Sequence, residues 1–131
     1  MSLQVDDIAC LRSGLAYLRG ADYFAAHDAW EEVWQGLRGR QRLFWQAMIQ
    51  LAVGAYHYTN GNRRGCQGQW RKALQKCHQL GGIDEEPLQP VALLAGVLET
   101  SLQALADGQN PLPGLADFAA NTVCEGWFLF S

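Results

Sequence analysis

From Ala47 to Tyr56 every residue is apolar or glycine except Gln50. A helix with no polar face has to be surrounded, so the helix expected over residues 41–60 is central and the rest of the chain must cover it. The flanking sequence is patterned to do this. Ile8, Leu11, Leu15 and Leu18 recur at helical spacing within residues 3–19, and Gly20 follows as a stop. Asp22 can cap a second helix running to about Gly36, whose inner stripe collects Tyr23, His27, Trp30, Glu31 and Trp34. Gly61 ends the central helix and Asn62 caps the next, which carries Cys66, Trp70, Ala73, Leu74, Cys77 and Leu80 on one face. A further helix over 90–106 turns Val91, Leu94, Leu98, Leu102 and Leu105 inward, and Pro111 and Pro113 stop it. Residues 114–131 show too little periodicity to assign, although Trp127, Phe128, Leu129 and Phe130 are apolar enough to be expected back on the bundle. The chain therefore reads as all-α, a compact bundle of about five helices built from antiparallel helical hairpins and forming a single domain over 1–131.

Composition removes other classes. A hydrophobic fraction of 49% is too high for a disordered chain, and no apolar run approaches a bilayer span. No basic stretch followed by an apolar core opens the chain, so the expected compartment is cytoplasmic. Cys10, Cys66, Cys77 and Cys124 form no CxxC pair, and two of them would stand about 16 Å apart along one helix. They read as buried, reduced thiols.

Charge is sharply divided. Residues 33–83 hold Arg38, Arg40, Arg42, Arg63, Arg64, Arg71, Lys72 and Lys76 and no acid, whereas residues 84–131 hold seven acids and no Lys or Arg. Two explanations fit. Either the acidic C-terminal third covers the basic helices, which is the preferred reading, or the basic face meets an anionic partner. A fainter pattern is the recurrence of Tyr17 and Gly20 as Tyr58 and Gly61, an offset of 41. Stacked helical hairpins look like this, but glycine stops alone would produce the match, so it is not taken as a repeat.

Some polar residues sit where apolar ones are expected. His27 and Glu31 are four apart on one helix, and Gln46, Gln50, Val53 and His57 form one line on the next. Antiparallel packing of those helices would gather His27, Glu31, Gln50 and His57 into a polar cluster walled by Trp30 and Trp34. The run YFAAHDAWEEVW, then IQLAVGAYH, GNRRG and KALQKCHQL resembles the helical family called domain of unknown function 309, over a core of about residues 20–80. The resemblance implies an all-helical fold and no activity. It places the family's characteristic positions on Phe24, His27, Trp30 or Glu31, Trp34, Gln50, His57, Gly61, Asn62 and Gly65. Where relatives carry Glu directly after the histidine, this chain has Asp28, whose shorter reach weakens any scheme that needs it to coordinate or accept a proton.

Three uses of these residues follow. The first is a non-catalytic binding or adaptor module, its partner a protein or a small anionic ligand, in which the polar cluster is mutually hydrogen-bonded and no catalytic residue is assigned. No cofactor is expected under this reading, which treats the chain as a monomer or homodimer. The second is a divalent metal site, in a metal-dependent hydrolase, with His27, Glu31 and His57 as ligands. The third is a weak phosphate or nucleic-acid site in segment 38–76, centred on Asn62, Arg63 and Arg64 at a helix start, where an anion would be welcome. Nucleic acid is the less favoured partner, given a pI of about 5.5 and no known motif.

Overall fold

The computed structural model describes residues 5–81 and 89–122. Six helices occupy them in the order α1 (Val5–Arg19), α2 (Tyr23–Trp34), α3 (Gly39–Thr59), α4 (Arg63–Gly81), α5 (Gln89–Ala106) and α6 (Leu112–Asn121). No strand occurs among the described residues. The sixth helix takes up part of the stretch left unassigned from sequence: α5 already ends at Ala106 with the turn at Gly108, so Pro111 and Pro113 do not stop it but begin the next helix, since proline is tolerated in a first turn where its missing N–H costs nothing. The acidic turn 84–86 and the apolar tail 127–130 lie outside the described residues.

Each helix packs on its neighbour in the chain, and α6 returns to pack on α1 as well as α5, closing the ring. The apolar helix α3 is covered by α2 on one side and α4 on the other, with Phe44, Trp45, Ala47, Met48, Leu51, Ala52 and Ala55 buried. No helix among the described residues is long and apolar enough to cross a membrane. Cys66 and Cys77 are buried free thiols, and burial pushes each up to about 12.

The weak sequence recurrence is a structural repeat, with a register of 40 rather than 41. Gly14 of α1 and Trp30 of α2 recur as Gly54 of α3 and Trp70 of α4. In both hairpins the indole lies against the glycine: a Cβ on Gly14 would stand 1.9 Å from Trp30 Nε1, and one on Gly54 would stand 2.3 Å from Trp70 Nε1. In both, the indole N–H donates to the carbonyl three residues before that glycine, Trp30 to Leu11 at 3.4 Å and Trp70 to Leu51 at 3.0 Å. All four side chains or backbones involved are buried, and the indole N–H is satisfied only because the glycine lets the ring reach the backbone.

The turns repeat too. Asp22 N–H bonds the Tyr17 carbonyl and Ala21 N–H the Leu18 carbonyl; Asn62 bonds His57 and Gly61 bonds Tyr58; Gln109 bonds Ala104 and Gly108 bonds Leu105. This double closure needs a left-handed residue after the helix, and Ala21, Gly61 and Gly108 all have φ between 63° and 76°. Asp22 and Asn62 then accept from Ala25 N–H and Gly65 N–H to cap the following helix. The α5–α6 hairpin shares the turn but has no tryptophan. The offset read from sequence was one too long because it matched Gly20 with Gly61, whereas the residue equivalent to Gly61 is Ala21.

Candidate functional site

The capped start of α2 and the final turns of α3 meet at a cleft between the first two hairpins. Tyr23, Phe24 and His27 come from α2, Val53, Tyr56 and His57 from α3, and together they enclose a cavity of about 220 Å³. Its exposed lining is almost entirely apolar. Phe24 is 56% exposed and Tyr56 41% exposed, although both rings are apolar surface that the fold could have buried. Four rings run in sequence around the opening: Phe24 is 5.8 Å from His27 and 5.8 Å from Tyr56, and Tyr56 is 6.4 Å from His57, centroid to centroid. Tyr23 lies deeper, and burial raises its phenol above the ordinary range.

His27 is held between two carboxylates of its own helix. Its Nδ1 is 3.2 Å from Asp28 Oδ1 and its Nε2 is 3.3 Å from Glu31 Oε2, so a proton on either nitrogen faces an acceptor. The reduced reach of Asp28 does not remove it from the site. His57 is fixed differently. Gly65 N–H donates to Asn62 Oδ1, which turns the Asn62 amide nitrogen toward His57 Nδ1 at 3.5 Å. With Nδ1 accepting, neutral His57 carries its proton on Nε2. The pocket thus holds an imidazole backed by acids and an imidazole positioned by a helix cap.

The expected polar cluster is divided by this geometry. His27 and Glu31 pair as the spacing required, and His57 joins His27 at the cleft. Gln50 does not: it lies on the face of α3 turned to α4, where its Oε1 accepts from Lys76 Nζ at 2.9 Å. Burial, then neighbouring Lys72, lowers the Lys76 ammonium from its usual range. Trp30 and Trp34 do not wall the pocket either. Trp30 is wholly buried against Gly14, and Trp34 carries the Arg42 guanidinium 3.8 Å above its ring. The three residues expected to ligate a metal are not the ones that gather. Among the described residues the donor atoms within 4.8 Å of one another belong to His27, Asp28 and Glu31.

The basic segment is partly committed to backbone. Arg42 donates to the carbonyls of Trp34 and Leu37, Arg38 to Leu37, Arg40 to Leu80, and Arg63 to Leu105. The acceptor that Arg63 meets at the start of α4 is therefore the carbonyl end of α5, where the helix dipole leaves partial negative charge. Arg63, Arg64, Gln67, Leu105 and Ala106 line a second cavity of about 160 Å³. On the α4 side it repeats the first cavity, since Arg63, Arg64 and Gln67 stand forty residues after Tyr23, Phe24 and His27; on the α5 side Leu105 and Ala106 fall at the turn positions of Tyr58 and Thr59, not at those of Val53, Tyr56 and His57.

Sequence reasoning named His27 and His57 but did not use Tyr23, Val53 or Tyr56 as site residues. One signal was available. Phe24 falls off the apolar stripe of its helix, so its ring had to be exposed or to meet something beyond α1. Residues 11–69 match the family model described as "Domain of unknown function (DUF309)". No curated protein and no solved structure matches the chain.

Proposed function

Because residues 11–69 match this family's model, and its description assigns no activity, the reading has to come from the site: we propose that the protein is a non-catalytic binding module whose recognition site is the α2–α3 pocket. One observation supports this above the others. At the start of α4, the equivalent of the start of α2, the positions of Phe24 and His27 are taken by Arg64 and Gln67, so hairpin packing does not demand an aromatic ring or an imidazole there. An exposed phenylalanine that packing does not require is a surface kept for a partner. The cavity of about 220 Å³ is smaller than the roughly 300–1,000 Å³ of small-molecule sites, and its size suits one side chain of a protein or peptide.

The test is a nuclear magnetic resonance titration of the labelled protein with capped pentapeptides whose central residue is varied through all side-chain classes. At least one class should move the amides of Phe24, His27, Val53, Tyr56 and His57 while leaving Leu115 in place. Phe24→Ala should abolish the response with an unchanged circular dichroism spectrum. If no peptide moves those amides, the pocket is not a recognition site.

A second use is favoured by the grouping of His27, Asp28 and Glu31 within 4.8 Å. A divalent cation there would take His27 Nε2 and Glu31, with Asp28 holding the opposite ring nitrogen as carboxylates behind ligating histidines do. Calorimetric titration with zinc, cobalt and manganese distinguishes this from peptide binding: a metal site binds below about 10 μM and loses that binding in His27→Ala.

A further inference from the structure

The charge around the pocket specifies what kind of side chain it takes. Between Arg19 and Arg38 the sequence holds Asp22, Asp28, Glu31 and Glu32, with His27 but no Lys or Arg. Asp28 and Glu31 both approach His27, so even a charged imidazole leaves that group of three with net negative charge. On the α3 side, residues 43–62 contain no Lys, Arg, Asp or Glu, and His57 is occupied by the Asn62 amide. Of the bases flanking these segments, Arg38 is bound to the Leu37 carbonyl, Arg42 lies on Trp34 and Arg63 is bound to the Leu105 carbonyl, while Arg19 and Arg64 are not among the residues that line the pocket. Inside the rim, the open rings of Phe24 and Tyr56 offer π faces, which attract cations, and Val53 offers aliphatic surface for a stem. The next cleft reverses this character, with Arg63 and Arg64 where the first has Tyr23 and Phe24. The equivalent helix start is therefore compatible with either character, and the aromatic lining with acids beside it belongs to the α2 copy.

We infer that the α2–α3 pocket receives the side chain of a lysine or arginine from a basic peptide segment, its stem against Phe24, Tyr56 and Val53 and its charged head at Asp28 and Glu31. This rests on the pocket being the recognition site, and it names the chemistry of the occupant. Both the cation–π and the carboxylate attraction act on the head and neither acts on a neutral side chain of the same length.

The experiment uses capped pentapeptides with central lysine, arginine, norleucine or glutamate, titrated against the full chain in 20 mM and 500 mM salt. Lysine and arginine should bind at least about fivefold more tightly than norleucine at low salt, the ratio that about 1 kcal/mol of attraction to the head produces. Glutamate should be the weakest. The advantage over norleucine should narrow at 500 mM salt, and should shrink toward unity in the Asp28→Asn, Glu31→Gln double variant. The salt series on unaltered protein keeps the test decisive if the double variant does not fold. Equal binding of norleucine and lysine overturns the assignment of a cation while leaving the pocket as a binding site. Tighter binding of glutamate overturns it in favour of an anion. No response to any peptide overturns both the assignment and the binding reading beneath it.

Discussion

Replacing Gly54 with alanine tests the hairpin lock against helix propensity, because the two effects have opposite signs. In an open helical position Gly→Ala stabilises by roughly 0.5–1 kcal/mol. At Gly54 the new methyl would sit 2.3 Å from Trp70 Nε1, 2.4 Å from Cδ1 and 3.0 Å from Cε2, so the indole must move. Trp70 is wholly buried and has no free space to move into without displacing its neighbours, a cost of about 1–3 kcal/mol for overpacking. The movement also breaks the 3.0 Å bond to the Leu51 carbonyl and leaves a buried donor unpaired, worth about 1–3 kcal/mol. Set against the propensity gain, the net loss is about 1–5 kcal/mol. Urea denaturation followed by circular dichroism measures it without relying on the tryptophan signal. Gly96→Ala is the control, since a Cβ there meets nothing within 4 Å and the residue lies inside α5. Trp70→Phe combined with Gly54→Ala should cost less than the sum of the single changes, because a ring shorn of its pyrrole edge no longer fills the methyl's place. If Gly54→Ala is as stable as Gly96→Ala, the close approach of indole to helix is not what holds the second hairpin together.

Two further outcomes follow from the same framework. Ala21→Gly should raise stability by about 0.5–1 kcal/mol, since Ala21 holds φ at 63°, a conformation that costs an L side chain about 1–2 kcal/mol and glycine nothing; a lower melting temperature for this variant would contradict the turn assignment. Cys66 and Cys77 have folded thiols raised from 9.0 to about 12, so below pH 9 both states keep the proton, and between pH 9 and 12 the unfolded chain loses it first. Stability should therefore fall as pH rises through that window, by an amount that shrinks in a Cys66→Ala, Cys77→Ala protein, and urea midpoints at pH 8 and 10.5 measure both; identical slopes in the two proteins would show that the thiols are not buried as described.

Periodicity made the helices legible because an amphipathic stripe and its stop signals are local. The His27–Glu31 pair was legible for the same reason, and the short link after α2 correctly set α2 beside α3. Periodicity supplies azimuth on a helix but not which neighbour a residue meets. Gln50 and His57 share a line on α3, yet α3 is covered from both sides, and Gln50 belongs to the α4 side. Trp30 shares a stripe with His27, but the notch at Gly14 on another helix draws it inward to the carbonyl of Leu11, nineteen residues away in the chain. The repeat escaped letter matching because its left-handed position is Ala21 in one copy and Gly61 in the other. Conformation was retained there while the residue type was not.

The divided charge bears on the pocket through the helix ends. α2 and α5 carry no basic residue in their last turn, where carbonyls leave a partial negative charge. Arg42 supplies a cation to α2 at Trp34, and Arg63 supplies one to α5 at Leu105, while Arg40 does the same for α4 at Leu80. Part of the basic segment is thus matched by backbone dipoles, which contain no carboxylate side chain. Acids elsewhere are to that extent not required to neutralise it. Asp28 and Glu31 can therefore stand at an aromatic pocket with only a histidine between them, and the attraction they exert is directed to whatever enters from solvent.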